Sequence, residues 1–202
     1  MKFRALVSLL FISSMTVLLY AGPDVGIAKP APDFTLKNLD GKEVRLSDFK
    51  GKFVVLEWSS FDCPFVGKHY RSGNMQALQK KYTEKGVVWL AINSSGKGKA
   101  GSYPVDVLKE KFARNNFHAL HYLLDEDGKV GKLYGAKVTP HMFVINPEGK
   151  LIYMGAIDSI RSANVADVKK AKNYVAAALD EAMAGKPVSE PVTQQYGCGI
   201  KY

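Results

Sequence analysis

Two short runs of the chain, residues 53–56 and 87–92, are wholly apolar. Runs of this length without polar alternation predict central strands that are covered on both faces, and the first continues to Trp58. Between them, apolar residues recur every three or four positions from Val66 to Tyr82, which predicts a helix. Residues 72–74 interrupt that pattern, so we expect a break, with Asn74 as the cap of the second piece.

Weaker patterns fill the rest of the chain. Short alternating segments predict a β-hairpin over residues 33–46, and a second hairpin is predicted over residues 142–154. Further elements are expected as a loop at 94–101, a helix at 105–116, a strand at 122–124, a helical turn at 130–134 and a closing helix at 167–183. In that helix, Val168 and Ala171 are expected to face inward. This order predicts a mixed sheet between helical layers.

The ends of the chain differ from its centre. Lys2 and Arg4 precede an apolar run over residues 5–20, which is the layout of a signal peptide over residues 1–21, with cleavage after Ala21 or as late as Ala28. Serine and threonine interrupt this short run, which disfavours a membrane anchor. We therefore expect an exported protein, periplasmic or extracellular, with no stable membrane insertion after cleavage. Residues 24–32 are expected to be mobile, 31–185 to form one domain, and 186–202 to form a tail.

Charge narrows the list of partners. The formal net charge is +9, but the lysines are scattered and form no stripe with interleaved aromatic residues. This distribution argues against nucleic acid as a partner. The glycine- and lysine-rich loop at 94–101 lacks the spacing of a phosphate-binding loop. No cofactor and no metal site are predicted.

The chemistry of the chain centres on Cys63, one of its two cysteines. Cys63 stands where the first central strand gives way to the helix, and Pro64 after it is favoured in a first helical turn. The free N–H groups and the dipole at a helix start favour a thiolate. The sequence therefore predicts a reactive thiol, although the Asp62 carboxylate would oppose a thiolate if it faced the sulfur.

The element order, with Cys-Pro at the start of the first helix, resembles the thioredoxin fold over about residues 31–185. The segments 32–36 (PDFTL) and 41–52 (GKEVRLSDFKGK) resemble the opening of the redoxin branch, which is peroxiredoxin-like or AhpC/TSA-like. The segments 62–70 and 196–202 resemble an exported redoxin subgroup with a single Cys-Pro cysteine and a Gly-Cys-Gly tail. The resemblance implies an α/β fold, a thioredoxin-like mixed sheet between helices with an N-terminal β-hairpin extension.

The resemblance also assigns a substrate groove. The segment 138–140 (VTP) is similar to the loop whose cis-proline faces the active cysteine in this fold. Thr139 and Pro140, with Pro64, are therefore expected to shape the groove and to present backbone groups to a bound peptide or disulfide. Trp58 and Phe61 are expected to be packing residues.

Thioredoxins carry C-x-x-C, but here Val66 occupies the position of the second cysteine. Thiol–disulfide exchange needs a second thiol to release a mixed disulfide, which makes Cys198 the candidate. The flanking Gly197 and Gly199 would let the tail move toward Cys63. Cys198 is expected either to resolve Cys63 of the same chain, or to pair with a second subunit in a homodimer, or to staple the tail structurally.

Peroxiredoxins carry P-x-x-x-T-x-x-C and a later arginine. Here Ser60 stands in the threonine position, Leu56 in the proline position, and Pro140 with His141 where the arginine is expected. Without that cation, the breaking O–O bond of a peroxide loses electrostatic stabilisation. A thiol peroxidase is therefore the alternative rather than the first hypothesis.

The favoured hypothesis is an exported thiol–disulfide oxidoreductase in which Cys63 attacks and Cys198 resolves. Its partner would be a thiol or disulfide protein, or a small peroxide for the peroxidase alternative. A third alternative is Cu(I) binding or delivery, with both thiols and His69 or His141 as soft ligands. His69 is otherwise expected to face solvent or the helix break, and His141 to approach the site.

Overall fold

The computed structural model describes residues 25–202, so the predicted signal peptide lies outside the described residues. Within that range the strands are β1 Thr35–Asn38, β2 Glu43–Arg45, β3 Val54–Trp58, β4 Val88–Asn93, β5 His121–Leu124, β6 Val138–Thr139, β7 His141–Ile145, β8 Leu151–Gly155 and β9 Cys198–Gly199. The main sheet has the order β2-β1-β5-β4-β3-β7-β8, and β6 pairs separately with β9. β3, β4 and β5 are parallel, whereas the outer pairs are antiparallel.

Five α-helices connect the strands of the described chain. They are α1 Pro64–Arg71, α2 Asn74–Thr83, α3 Val105–Arg114, α4 Lys129–Leu133 and α5 Tyr174–Met183, with 3-10 segments at Leu46–Phe49 and Val165–Lys170. No helix within residues 25–202 is long and apolar enough to span a bilayer.

The main sheet has a hydrophobic cluster on each face. Along β3, Val55 belongs to the cluster that includes α1, α2 and α5, whereas Leu56 and Trp58 belong to the opposite cluster with Tyr134 and Phe143. This alternation is the two-residue period of a strand, and burial of both sets explains why the run shows no polar positions. The predicted α/β fold, a thioredoxin-like mixed sheet between helices with an N-terminal hairpin, is confirmed.

The break between the first two helices was placed correctly, but its cap was not. Gly73, with φ of 74°, precedes the first residue of α2, and Asn74 is already helical. A left-handed backbone conformation favours glycine, so Gly73 rather than Asn74 makes the turn between the helices. The Asn74 side chain instead contacts Nδ1 of His69 at 2.9 Å.

The closing helix was predicted too long. Residues 165–170 form a 3-10 segment, and α5 begins only at Tyr174, where the Asn173 side chain accepts a hydrogen bond from the Ala176 N–H at 2.9 Å. Val168 and Ala171, which the periodicity placed inward, are only half-buried. The start of α5 is therefore set by the capping preference of Asn173, and not by the apolar spacing that predicted a start at residue 167.

The segment before β1 was expected to be mobile, yet its described residues are held against β8 and the turn before it. The Ala28 N–H donates to Leu151 O at 2.8 Å, and Pro30 is bridged to Lys150. Backbone hydrogen bonds of this kind carry no apolar pattern, which is why the sequence did not indicate them.

Candidate active site

Cys63 is the residue immediately before α1. β3 ends at Trp58, four residues turn the chain, and Pro64 opens the helix as expected. The Cys63 carbonyl accepts the first helical hydrogen bond, from the Gly67 N–H at 2.8 Å. The side chain is only 3% exposed. The thiol is thus fixed at a helix start and nearly closed off from solvent.

The loop before β7 faces this thiol. The peptide bond between Thr139 and Pro140 is cis, and the Cys63 thiol donates a hydrogen bond to the Thr139 carbonyl oxygen, with Sγ and O 2.9 Å apart. Of the residues expected to form the groove, Thr139 contacts the Cys63 thiol, whereas Pro64 and Pro140 are the chain neighbours of Cys63 and Thr139.

The C-terminal tail occupies the groove. β9 pairs antiparallel with β6, with Cys198 opposite Thr139 and Gly199 opposite Val138. The Ile200 N–H continues the pairing by donating to Lys137 O at 3.1 Å. The tail was expected to be free to move, but in this structure it is an added strand that carries Cys198 to the site.

Gly197 lets the tail approach so closely. Its φ is 144°, and a β-carbon placed there would lie 2.0 Å from the Thr139 carbonyl oxygen. No other residue fits without displacing the tail or the loop. By contrast, a β-carbon at Gly199 would meet no atom within 4 Å.

Both thiols are unbridged, and they interact. Burial raises the pKa of Cys198 to about 12, and the hydrogen bond to Cys63 and the negative charge of Cys63 in its thiolate form raise it further. Lys201 and the Phe65 N–H act in the opposite direction. Cys198 is therefore held as a protonated thiol beside the sulfur of Cys63, which is the arrangement from which a disulfide can form.

Asp62 does not oppose a thiolate in the way the sequence allowed. Its two carboxylate oxygens accept hydrogen bonds from the Gly101 N–H at 3.0 Å and from the Tyr103 hydroxyl. Both contacts come from the loop after β4. Asp62 thus ties that loop to the edge of the site.

A cavity of about 300 Å³ opens beside the two cysteines. Its lining comes from the turn before α1, the end of β4 and the loop after it, Thr139 of β6, and the tail. The lining residues are Ser60, Asp62, Cys63, Asn93, Ser94, Ser95, Ala100, Thr139, Cys198, Gly199, Ile200 and Lys201. The cavity is large enough for a small molecule that approaches either sulfur.

His69 was expected to face solvent or the helix break, and it faces the break, where its Nδ1 lies 2.9 Å from the side-chain amide of Asn74. The ring is fully buried, and its Nε2 lies 3.8 Å from Oδ2 of Asp158. Burial is the main cause that lowers the pKa of His69 to about 4. The segment around Asp158 and the tail cover this side of α1, and neither is close in sequence.

His141 is buried as well and does not line the cavity. Its ring lies 4.5 Å from the ring of Phe143, and its Nδ1 has no hydrogen-bond partner. Burial lowers the pKa of His141 to about 4. Within residues 25–202, no group of three or more His, Cys, Asp or Glu side chains is placed to hold a metal ion.

The aromatic residues near the site pack as expected. Trp58 is fully buried and donates from Nε1 to the Ser94 hydroxyl at 3.0 Å. Phe61 stacks on Tyr122 with ring centroids 5.4 Å apart.

Sequence reasoning missed a buried polar cluster beneath the tail. Nζ of Lys68 lies 2.8 Å from Oδ2 of Asp158, and Tyr196, two residues before Cys198, contacts both side chains. A lysine in a helical pattern ordinarily indicates a solvated face. The one signal available was that Phe65, Lys68 and His69 share a helix face by their spacing of three and four.

A second buried carboxylate, Glu57, lies within β3. It accepts hydrogen bonds from the Tyr70 hydroxyl at 3.0 Å, from Gln79 at 3.1 Å and from the Trp89 indole at 2.9 Å. Burial raises the pKa of Glu57. A charged residue in an otherwise apolar central strand was a usable signal, because such a group must find partners inside the protein.

Comparison with known proteins gives a consistent set of relatives. The chain is 30% identical over 155 residues to a protein of Bacillus thuringiensis subsp. konkukian named thiol-disulfide oxidoreductase ResA, with 74% of this chain and 84% of that protein covered. A crystal structure of an uncharacterized conserved protein from Geobacillus kaustophilus superposes with a TM-score of 0.73 at 30% identity, over 89% of this chain and 93% of the other.

A more distant structure supports the fold alone. It is the thioredoxin domain of a thiol-disulfide oxidoreductase from Bacteroides vulgatus, with a TM-score of 0.54 at 20% identity, over 73% of this chain and 98% of the other.

A family model agrees with these relatives. The model of the AhpC/TSA family matches residues 27–154, which include the β-hairpin, Cys63 and the Thr139–Pro140 loop. The tail with Cys198 lies beyond the matched residues. The redoxin resemblance expected from the opening motifs is confirmed, and the chain belongs to the AhpC/TSA family.

Proposed function

We propose that this chain is a thiol–disulfide oxidoreductase in which Cys63 attacks and Cys198 resolves within the same chain. The observation that carries the proposal is the position of both thiols at Thr139. Cys63 donates to the Thr139 carbonyl oxygen, and Cys198 is the register partner of Thr139 across the β6–β9 pair. The name of the Bacillus relatives supports the same class of reaction.

In the first step, the thiolate of Cys63 attacks one sulfur of a substrate disulfide. A bond forms between that sulfur and Sγ of Cys63 while the substrate S–S bond breaks, and the second substrate sulfur leaves as a thiolate that takes up a proton. The helix start supports this role, because the N–H groups and dipole there favour negative charge. Cys198 stays protonated, so only one nucleophile competes for substrate.

In the second step, Cys198 attacks Sγ of Cys63. The Cys63–Cys198 bond forms while the bond between Cys63 and the first substrate sulfur breaks. That sulfur leaves as a thiol with the proton that Cys198 gives up, so the substrate has gained two electrons and the cysteine pair has lost two. Burial, the main cause, still raises the pKa of Cys198 in the mixed disulfide, but the hydrogen bond and charge of Cys63 no longer add to it. A thiol or dithiol reductant must then regenerate the pair.

The expected partners are thus proteins or small molecules that carry thiols or disulfides. A substrate that approaches through the 300 Å³ cavity meets Ser60, Ser94 and Ser95, which can orient it by hydrogen bonds. The intrachain pairing requires no second subunit, so we do not propose the homodimer as part of the mechanism. We propose export from the pattern of residues 1–21, which N-terminal sequencing of the mature protein would test.

The proposal is tested with the reduced protein and its Cys63→Ser and Cys198→Ser variants. Incubation with oxidised glutathione should give wild type an internal disulfide that dithiothreitol removes. Cys198→Ser should instead accumulate a mixed disulfide at Cys63, and Cys63→Ser should lose reduction of insulin disulfides. Unchanged insulin reduction by Cys63→Ser would exclude the proposal. Wild type that remains as a stable mixed disulfide would exclude Cys198 as the resolving residue.

The peroxidase alternative has weaker support. Among the described residues that line the cavity, Lys201 is the one cation, and it belongs to the tail rather than to the position where peroxiredoxins carry arginine. We expect hydrogen peroxide to be consumed no faster than by free cysteine at equal concentration. Fast consumption that depends on Cys63 would reverse this order. Cu(I) binding has no geometric support, because His69 faces Asp158 and His141 lies outside the cavity.

A further inference from the structure

We infer that Tyr196 is a positioning residue, whose hydroxyl locks the tail into the buried Lys68–Asp158 ion pair and thereby holds Cys198 beside Cys63. The term "tail latch" is used here for Tyr196, Lys68 and Asp158. The inference rests on the proposed function, since it assigns a role in the second step of that reaction. None of the three residues lines the cavity beside the two cysteines.

The ion pair of the tail latch is unusually well buried. Lys68 is 0% exposed and Asp158 is 3% exposed. Charges removed from water in this way are stable only when their remaining donors and acceptors find partners. Nζ of Lys68 has three N–H donors, and it has three acceptors: Asp158 Oδ2 at 2.8 Å, Ile160 O at 2.9 Å and the Tyr196 hydroxyl at 3.2 Å.

Tyr196 is the member of the latch that belongs to the tail. Its hydroxyl donates to Oδ1 of Asp158, and Nε2 of His69 lies 3.5 Å from the Tyr196 hydroxyl oxygen. Its ring packs edge-on against Phe65 at 5.7 Å, and Nζ of Lys68 lies 5.5 Å from the ring centre. One hydroxyl therefore supplies both the third acceptor of Lys68 and a donor to Asp158.

The latch acts on the helix that carries the attacking thiol. Phe65, Lys68 and His69 belong to α1, which begins directly after Cys63. Tyr196 is separated from Cys198 by Gly197 alone, so at most about 7 Å of extended chain lies between the two α-carbons. Fixing Tyr196 against α1 thus confines Cys198 to the neighbourhood of Cys63.

Such confinement sets the effective concentration of the second thiol. A thiol held within reach reacts as if it were present at a high concentration, and this advantage falls when its segment is released. Tyr196→Phe keeps the ring but removes the hydroxyl, which leaves Lys68 and Asp158 each short of one partner. The equilibrium between docked and released tail then shifts toward the released state.

The first measurement is the equilibrium of the Cys63–Cys198 disulfide with glutathione, which gives the effective concentration of Cys198 directly. Tyr196→Phe should lower it about tenfold or more, the usual effect of an unpaired buried charged group. Tyr134→Phe is the matched control, because Tyr134 is also buried, is 2% exposed and donates its hydroxyl, to Pro32 O at 2.6 Å, away from the tail. It should leave the effective concentration unchanged.

The second measurement does not depend on redox chemistry. In a Cys63→Ser background, the rate of alkylation of Cys198 by iodoacetamide reports how often the tail is released. Tyr196→Phe should raise that rate about tenfold, and Tyr134→Phe should not change it. In a Cys198→Ser background, thermal unfolding should show both Tyr→Phe variants folded.

The two measurements separate the two proposals. If wild type forms no internal disulfide at any glutathione ratio, the proposed function is wrong, and a positioning role in its second step is wrong with it. If wild type forms the disulfide but Tyr196→Phe matches Tyr134→Phe within twofold in both measurements, the proposed function stands and the tail latch is overturned. A tenfold effect in both, confined to Tyr196→Phe, supports the latch.

Discussion

Three charged side chains of this protein lie in its interior, away from solvent. Glu57, Lys68 and Asp158 are each at most 3% exposed, and each is surrounded by hydrogen-bond partners from other elements. A buried charge without partners costs several kcal/mol, so each of these residues imposes one arrangement on its neighbours. Glu57 orients the helices packed on β3, while Lys68 and Asp158 orient the tail.

Glu57 provides a test of this view. Glu57→Leu should lower the free energy of unfolding by about 3 kcal/mol or more, because the donors of Tyr70, Gln79 and Trp89 would remain buried without a hydrogen-bond acceptor. Glu57→Gln retains an acceptor oxygen and should cost clearly less. Urea unfolding of the reduced protein at pH 7 measures both. A leucine variant as stable as wild type would show that the three donors find water or other partners.

The buried histidines predict loss of stability in acid. His69 and His141 have pKa values lowered to about 4 in the folded protein, so on acidification the unfolded chain takes up their protons first. Stability from these groups is complete above about pH 6.5, the unfolded value, and is lost as the pH falls toward 4.

His141→Leu isolates one of the two groups. Between pH 7 and pH 4.5, the free energy of unfolding of wild type should fall by about 2 to 3 kcal/mol more than that of the variant. The same substitution at the exposed His118 controls for loss of a histidine as such. Parallel curves for wild type and His141→Leu would show that His141 is not held neutral.

At the scale of elements, the sheet and its helices follow from local signals. The apolar runs predicted β3 and β4, the Cys-Pro pair predicted the start of α1, and the redoxin-like motifs predicted the cis peptide bond before Pro140. The pairing of β6 with β9 could not be predicted, because two residues on each side give no period and the contact spans 59 positions between Thr139 and Cys198. Likewise, the burial of His69 depends on Asp158 and Tyr196, which lie far away in the chain.

A single added methyl group at Gly197 should weaken the β6–β9 pairing. Gly197→Ala places a β-carbon against the Thr139 carbonyl oxygen, so the tail must shift away from the site. We expect formation of the internal disulfide after addition of oxidised glutathione to slow about tenfold or more, because Cys198 is less often within reach. Stopped-time acid quench and mass spectrometry measure that rate.

Gly199→Ala is the matched control for this change. The new methyl group meets nothing within 4 Å, so the rate should stay near that of wild type. Equal slowing by both substitutions would indicate a general effect of tail stiffness and would contradict the steric argument.

For the whole molecule, the tail is a strap across one side of the domain. Thr193 binds near the end of β8, where its hydroxyl accepts from the Ala156 N–H at 3.0 Å, and Lys201 O accepts from the Gly96 N–H at 2.8 Å. Tyr202 ends the strap by donating its hydroxyl to Ala136 O at 2.6 Å. Cys63, between these attachments, is nearly closed off from solvent because the strap lies over it.

Removal of residues 193–202 should therefore expose Cys63. We expect its alkylation by iodoacetamide to be about tenfold faster or more than in full-length Cys198→Ser, which has the same single thiol under an intact strap. A bulky maleimide should show a larger ratio than iodoacetamide, since the cavity admits small reagents. Equal rates in the two proteins would mean that the strap does not cover the thiol in solution.

Because Cys198 reaches Cys63 along its own chain, the second step of the proposed reaction needs no encounter with another molecule. The lifetime of the mixed disulfide with a substrate is then set by a first-order, intramolecular step, and dilution of the enzyme leaves it unchanged. An enzyme at low concentration in a large compartment would therefore release its substrates as fast as one at high concentration.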